Sequence, residues 1–132
     1  MYPVLDLAGW TGTEGDTHDF ESRYLDGLIG PLPSARQRYV ERSPLANSAA
    51  LAGPVLFQQG LEDRICPPEQ ADRFVAGLEG RGIPYAYQRF PGEQHGFRQA
   101  STIVAALEAE LSFYGQVLGF ETPGVAKLEL SR

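Results

Sequence analysis

The sequence predicts an α/β fold of parallel strands joined by crossover helices, and three observations carry that expectation. Short apolar runs alternate with segments of helical periodicity, in the order strand, helices, strand, helix, strand, helix. The 15 glycines and 10 prolines stand between those segments as punctuation and do not gather in one linker. Asp63 and His95 each fall a few residues beyond the end of an expected strand, where ligands and catalysis sit in parallel sheets.

Each element has its own signal. Residues 2–7 (Tyr-Pro-Val-Leu-Asp-Leu) read as the end of a short buried strand, followed by a loop loosened by Gly9, Gly12 and Gly15. A helix is expected from about Thr17, with Phe20, Tyr24, Leu25 and Leu28 at helical spacing and Gly30-Pro31 as its stop. A shorter helix follows over Ser34 to Glu41. The run Pro54 to Gln59, bounded by Gly53 and Gly60, predicts a buried strand. Pro67-Pro68 opens the next helix, because proline suits a first helical turn. Its apolar stripe is Ala71, Phe74, Val75 and Leu78, with Gly80 and Gly82 ending it. Pro84 to Phe90 predicts another strand with Tyr85 and Tyr87 on one face. After the tight loop Pro91 to Gly96, a long helix runs from about Gln99 to Leu118, its stripe being Ile103, Leu107, Leu111, Tyr114 and Leu118.

At 132 residues there is room for one domain. The net charge of -6 and the absence of any Lys or Arg run argue against a nucleic-acid surface. No apolar stretch approaches the roughly 18–20 residues of a membrane span, and no secretory leader is visible. With the single Cys66, which forbids an internal disulfide, this points to the cytoplasm.

Asp63 and His95 lie 32 residues apart, separated by one helix and one strand. If those two strands are neighbours, both side chains emerge at one edge of the sheet. A histidine acting as general base needs a carboxylate on its other ring nitrogen to fix the tautomer. Each residue also has an ordinary reading, Asp63 as a turn or cap residue and His95 as an exposed loop histidine. Glu93 and His95 are spaced like some metal pairs, but His18 and Cys66 add no recognisable ligand spacing, so no metal or cofactor is expected.

Four segments carry a resemblance. Gly60-Leu-Glu-Asp-Arg-Ile-Cys-Pro67 resembles the acid loop of prolyl oligopeptidase-like serine peptidases, and Glu93-Gln-His-Gly-Phe97 is similar to their histidine loop. Thr17-His-Asp-Phe-Glu-Ser-Arg-Tyr-Leu-Asp26 and Arg42-Ser-Pro44 resemble segments between nucleophile and acid in bacterial members of the dipeptidyl or acylaminoacyl peptidase type. The resemblance covers residues 2 to about 120 and implies the C-terminal portion of an α/β-hydrolase fold. Residues 1–120 would form a partial peptidase domain and 121–132 an irregular tail. Asp63 would orient His95, and His95 would move the proton of a serine nucleophile acting on a peptide substrate.

That serine belongs in a Gly-x-Ser-x-Gly turn before the acid. The chain has seven serines, and none has glycine two residues away on both sides. The family's serine turn lies shortly upstream of the segment beginning at Tyr2, so the chain alone is expected to be inactive. Its sheet would also be incomplete, with an open edge for the rest of the hydrolase domain or for another chain. A carboxylesterase or dienelactone hydrolase-like enzyme, and a non-catalytic interaction module, are the alternatives.

Overall fold

The structure, a computed structural model, describes residues 3–10 and 23–132. At its centre two parallel strands, β1 (Val55–Gly60) and β2 (Tyr85–Phe90), pair in register from Val55 opposite Tyr85 to Gly60 opposite Phe90. Both strands therefore end level with each other, which brings the loops that follow them together. Among the described residues four helices accompany the strands: α1 (Tyr24–Leu28), α2 (Arg36–Arg42), α3 (Pro68–Ala76) and α4 (Ala100–Leu118), with a 3-10 turn at Ser48–Ala50.

Alternation along β1 sets the layers. Phe57 points to one face, where its ring meets Phe74 of α3 at 5.2 Å between centroids. Gln58 points to the other face, where its side-chain amide donates to the Ala106 carbonyl of α4 at 2.8 Å and to Gln88 of β2 at 3.0 Å. The main core lies on the α3 side: Leu5, Phe57, Ala71, Phe74, Val75, Leu78 and Tyr85. A smaller cluster of Leu25, Ile29, Ala35 and Tyr39 joins α1 to α2. Tyr39 is fully buried and donates its hydroxyl to the Gly30 carbonyl at 3.0 Å.

Two expectations need correction, and a third falls partly outside the described residues. Residues 3–6 form no sheet ladder; Leu5 and Asp6 instead donate their backbone N–H groups to the side-chain oxygen of Gln70, and Leu7 donates to Ser43. The backbone donors of the N-terminal segment are met by side-chain acceptors from α3 and the α2 end. The first helix is described only from Tyr24, residues 17–22 lying outside the described residues. The largest difference concerns α4. The expected stripe Ile103, Leu107, Leu111, Tyr114 and Leu118 is exposed, with Leu118 at 70% and Leu107 at 59%. The helix seats Ala106, Ala109, Ser112 and Phe113 inward instead, because small side chains let its backbone come within reach of Gln58.

The tail beyond α4 is anchored. Gly119 ends the helix in the left-handed conformation with φ 78°. The chain then folds back so that Leu128 N–H donates to the Ser112 hydroxyl and Ser131 exchanges two backbone hydrogen bonds with Tyr85. That bridge covers the outer edge of β2 at its start, whereas β1 has a strand on one side only among the described residues. Among the same residues no helix is long and apolar enough to cross a membrane.

Candidate active site

The acid loop begins where β1 stops. Leu61 carries the pairing one step further by donating to the Phe90 carbonyl at 3.0 Å, and Asp63 N–H then turns back to the Gly60 carbonyl. The Asp63 side chain is fully buried. Its Oδ1 accepts from the backbone N–H groups of Ile65 at 2.9 Å and Cys66 at 2.8 Å. These bonds form an Asx-type turn that leads into the Pro67-Pro68 start of α3. Its Oδ2 accepts from the Gln59 amide at 3.4 Å and faces His95 Nδ1 at 3.0 Å.

Three N–H donors besides the histidine converge on this carboxylate, which makes it an acceptor toward His95. In a neutral ring that donates from Nδ1 to this carboxylate, Nε2 is the nitrogen able to accept a proton. The His95 side chain is 32% exposed and lines an open cavity of about 770 Å³ together with Glu62, Asp63, Arg64, Ile65 and Pro67. A buried carboxylate, an oriented imidazole and an open space beyond it can together accept and return a proton.

The histidine loop is held as tightly. Gly92 and Gly96 adopt φ of 75° and 104°, conformations that suit glycine on both sides of His95. Glu93 is buried, and its two carboxylate oxygens accept backbone N–H groups from Arg98 at 2.8 Å and Gln99 at 3.0 Å. Burial pushes the Glu93 carboxyl upward, but the Arg98 and Gln99 N–H groups, the Thr102 side chain and the Arg98 charge outweigh it and hold the carboxyl below its ordinary value. No group of three His, Cys, Asp or Glu side chains suited to a metal ion occurs among the described residues.

The structure thus brings Asp63 and His95 into contact, as the strand-end argument anticipates. Sequence reasoning missed Gln59, which bonds Asp63 and the Cys66 carbonyl, and Trp10, whose indole N–H donates to the Ile65 carbonyl at 2.9 Å. A glutamine buried one residue before a strand end was the available signal for the first. Nothing in the sequence marks the second, a contact across 55 residues. The serine hydroxyls at Ser43 and Ser112 are committed elsewhere, to Tyr39 with Leu7 and to Leu128.

Paired parallel strands between helices, with an acid and a histidine on successive strand ends, define part of an α/β-hydrolase. Residues 2–121 match the prolyl oligopeptidase family, and the chain belongs to it. It is 34% identical over 87 residues to dipeptidyl peptidase family member 6 of Caenorhabditis elegans, a match covering 66% of this chain and 12% of that protein. It is 31% identical over 98 residues to dipeptidyl aminopeptidase BIII of Pseudoxanthomonas mexicana, covering 74% of this chain and 14% of the relative. A crystal structure of puromycin hydrolase superposes with a TM-score of 0.92 at 55% identity. A Mycobacterium tuberculosis puromycin-hydrolysing peptidase superposes at 0.91 and 52%. Each superposition covers 99% of this chain and 20% of the solved one. The chain therefore spans about a fifth or less of the length of these relatives.

Proposed function

We propose that this chain supplies the acid and the base of a serine peptidase acting on peptide or aminoacyl amide bonds. The observation that carries the reading is the buried Asp63 carboxylate 3.0 Å from His95 Nδ1. In the proposed reaction, Nε2 of His95 takes the proton of a serine hydroxyl as the oxygen attacks the carbonyl carbon. The tetrahedral adduct collapses with transfer of that proton to the leaving amine. Water then repeats the sequence on the acyl-enzyme ester and regenerates the serine. Asp63 stabilises the imidazolium through its contact with Nδ1. The names of the relatives, dipeptidyl peptidases and puromycin hydrolases, support an amide as the bond broken.

The nucleophile is proposed to come from a segment that covers the open side of β1, either the remainder of a hydrolase domain or another chain. Two features support a missing cover. The apolar stripe of α4 is exposed, and Oε1 of the buried Gln59 has no hydrogen-bond partner among the described residues. Leaving such an acceptor dry costs about 1–3 kcal/mol, which a donor on the covering segment would offset.

The test is to join the chain to a segment bearing Gly-x-Ser-x-Gly and follow an aminoacyl amide. Turnover should fall by about 10⁶-fold in His95→Ala, the scale of losing the triad histidine, and the chain alone should match buffer. A folded, inactive assembly would favour an interaction module. Turnover indifferent to His95→Ala would end the reading.

A further inference from the structure

Glu93 has no part in the proton transfers just described, yet it is buried and its carboxylate is fully engaged. Both oxygens reach forward across five and six residues to the backbone N–H groups of Arg98 and Gln99. Between those anchor points the chain makes its turn through His95. The side chain therefore closes a ring of backbone around the histidine and fastens the far side of that ring to the start of α4. Helix α4 has no side-chain cap of its own at Gln99, so Glu93 also takes up two N–H groups at the helix entrance.

The main chain of the same residue faces the opposite way. The Glu93 carbonyl accepts the backbone N–H of Glu62 at 2.9 Å, next to Asp63 in the acid loop. Gly60 permits that approach: a Cβ there would lie 2.5 Å from the carbonyl oxygens of Glu93 and Gln94. The two loops thus touch through backbone, without side chains as spacers. A second clamp is the ring pair of Phe90 and Phe97, 4.9 Å between centroids, which pins the ends of the loop together. Of these contacts, Glu93 alone holds the acid loop by its main chain and the helix start by its side chain.

We propose that Glu93 is a positioning residue for His95, which sets the histidine ring against Asp63 and does not touch substrate. This rests on the reading of Asp63 and His95 as acid and base. A carboxylate is needed because glutamine offers only one acceptor oxygen; its NH₂ group would be turned toward a backbone N–H. Glu93→Gln therefore keeps the shape, loses one bond and creates a donor-to-donor contact.

Two readouts test the assignment. In the 132-residue chain, the nitrogen chemical shifts of the His95 ring report which nitrogen carries the proton. Glu93→Gln should move both shifts toward a mixture of tautomers while the fold persists. In the nucleophile-bearing assembly the same variant should lower kcat by about tenfold to a hundredfold with KM nearly unchanged, the cost of a small misplacement of a reacting group. A purely structural role would lower the midpoint of unfolding and leave the ring nitrogens alone. Should Glu93→Gln fail to fold, Thr102→Val removes one interaction from the same carboxylate, keeps its charge, and should give a smaller change of the same kind. Unchanged ring shifts in whichever of the two variants folds would overturn the proposal. Failure of the underlying reading is separate: it would show as activity surviving His95→Ala.

Discussion

Helix α3 and helix α4 lie on opposite faces of the same two strands, and they treat their apolar side chains differently. On α3, Ala71, Phe74 and Val75 are buried against Phe57, Leu5 and Tyr85. On α4 the inward positions are mostly small, and Ile103, Val104, Leu107, Leu111 and Tyr114 face outward. A helix apolar on both faces belongs between two layers. Among the described residues the α3 side packs its apolar stripe inward, and the α4 side has one layer where its composition fits two.

Substitutions on the two helices should therefore have unequal effects. Phe74→Ala should cost about 3–5 kcal/mol in denaturant unfolding, through lost burial and the cavity left beside Phe57. A cost under about 1 kcal/mol, as at surface sites, would break the comparison by showing that α3 is not the closed side.

Acid should separate the helices next. The Glu93 carboxyl is depressed below the ordinary 4.5 in the folded chain. Its stabilising contribution is thus present above that ordinary value and is lost as pH falls through the lower, folded one. Because Glu93 holds the entrance of α4, amide exchange in the first turn of α4, corrected for intrinsic rates, should rise in acid before that of α3. Simultaneous opening of both helices would show that the carboxylate does not control α4 locally.

The smallest effect is expected at Leu107→Ser. Unfolding free energy should stay within about 0.5 kcal/mol of the parent, as for exposed positions, while light scattering from self-association should fall. A loss comparable to Phe74→Ala would mean that this face is already covered within the chain.

Legibility in the sequence followed how local the cause was. Both strands and α3 were readable because glycines and prolines bound them and their apolar residues have partners nearby in the chain. The meeting of Asp63 and His95 followed from strand order once β1 and β2 are neighbours, as their pairing shows. The orientation of α4 was not readable, since periodicity locates an apolar stripe without saying which layer it will meet. Residues 3–7 misled for a related reason. Their composition suits a buried strand, but a strand exists only through its neighbour, and Leu5 and Asp6 found Gln70 instead. The roles of Gln59 and Glu93 were hidden because both depend on backbone groups that converge only after folding.

Trp10 is the only tryptophan in the chain, and its indole hydrogen bond ends on the acid loop two residues past Asp63. Ultraviolet emission excited through indole therefore originates at one place, beside the cavity wall formed by Ile65. The molecule carries its own optical probe of the acid loop. A molecule settling against Ile65, or a segment docking over it, would change the polarity around that ring and could be followed by colour, without label or turnover.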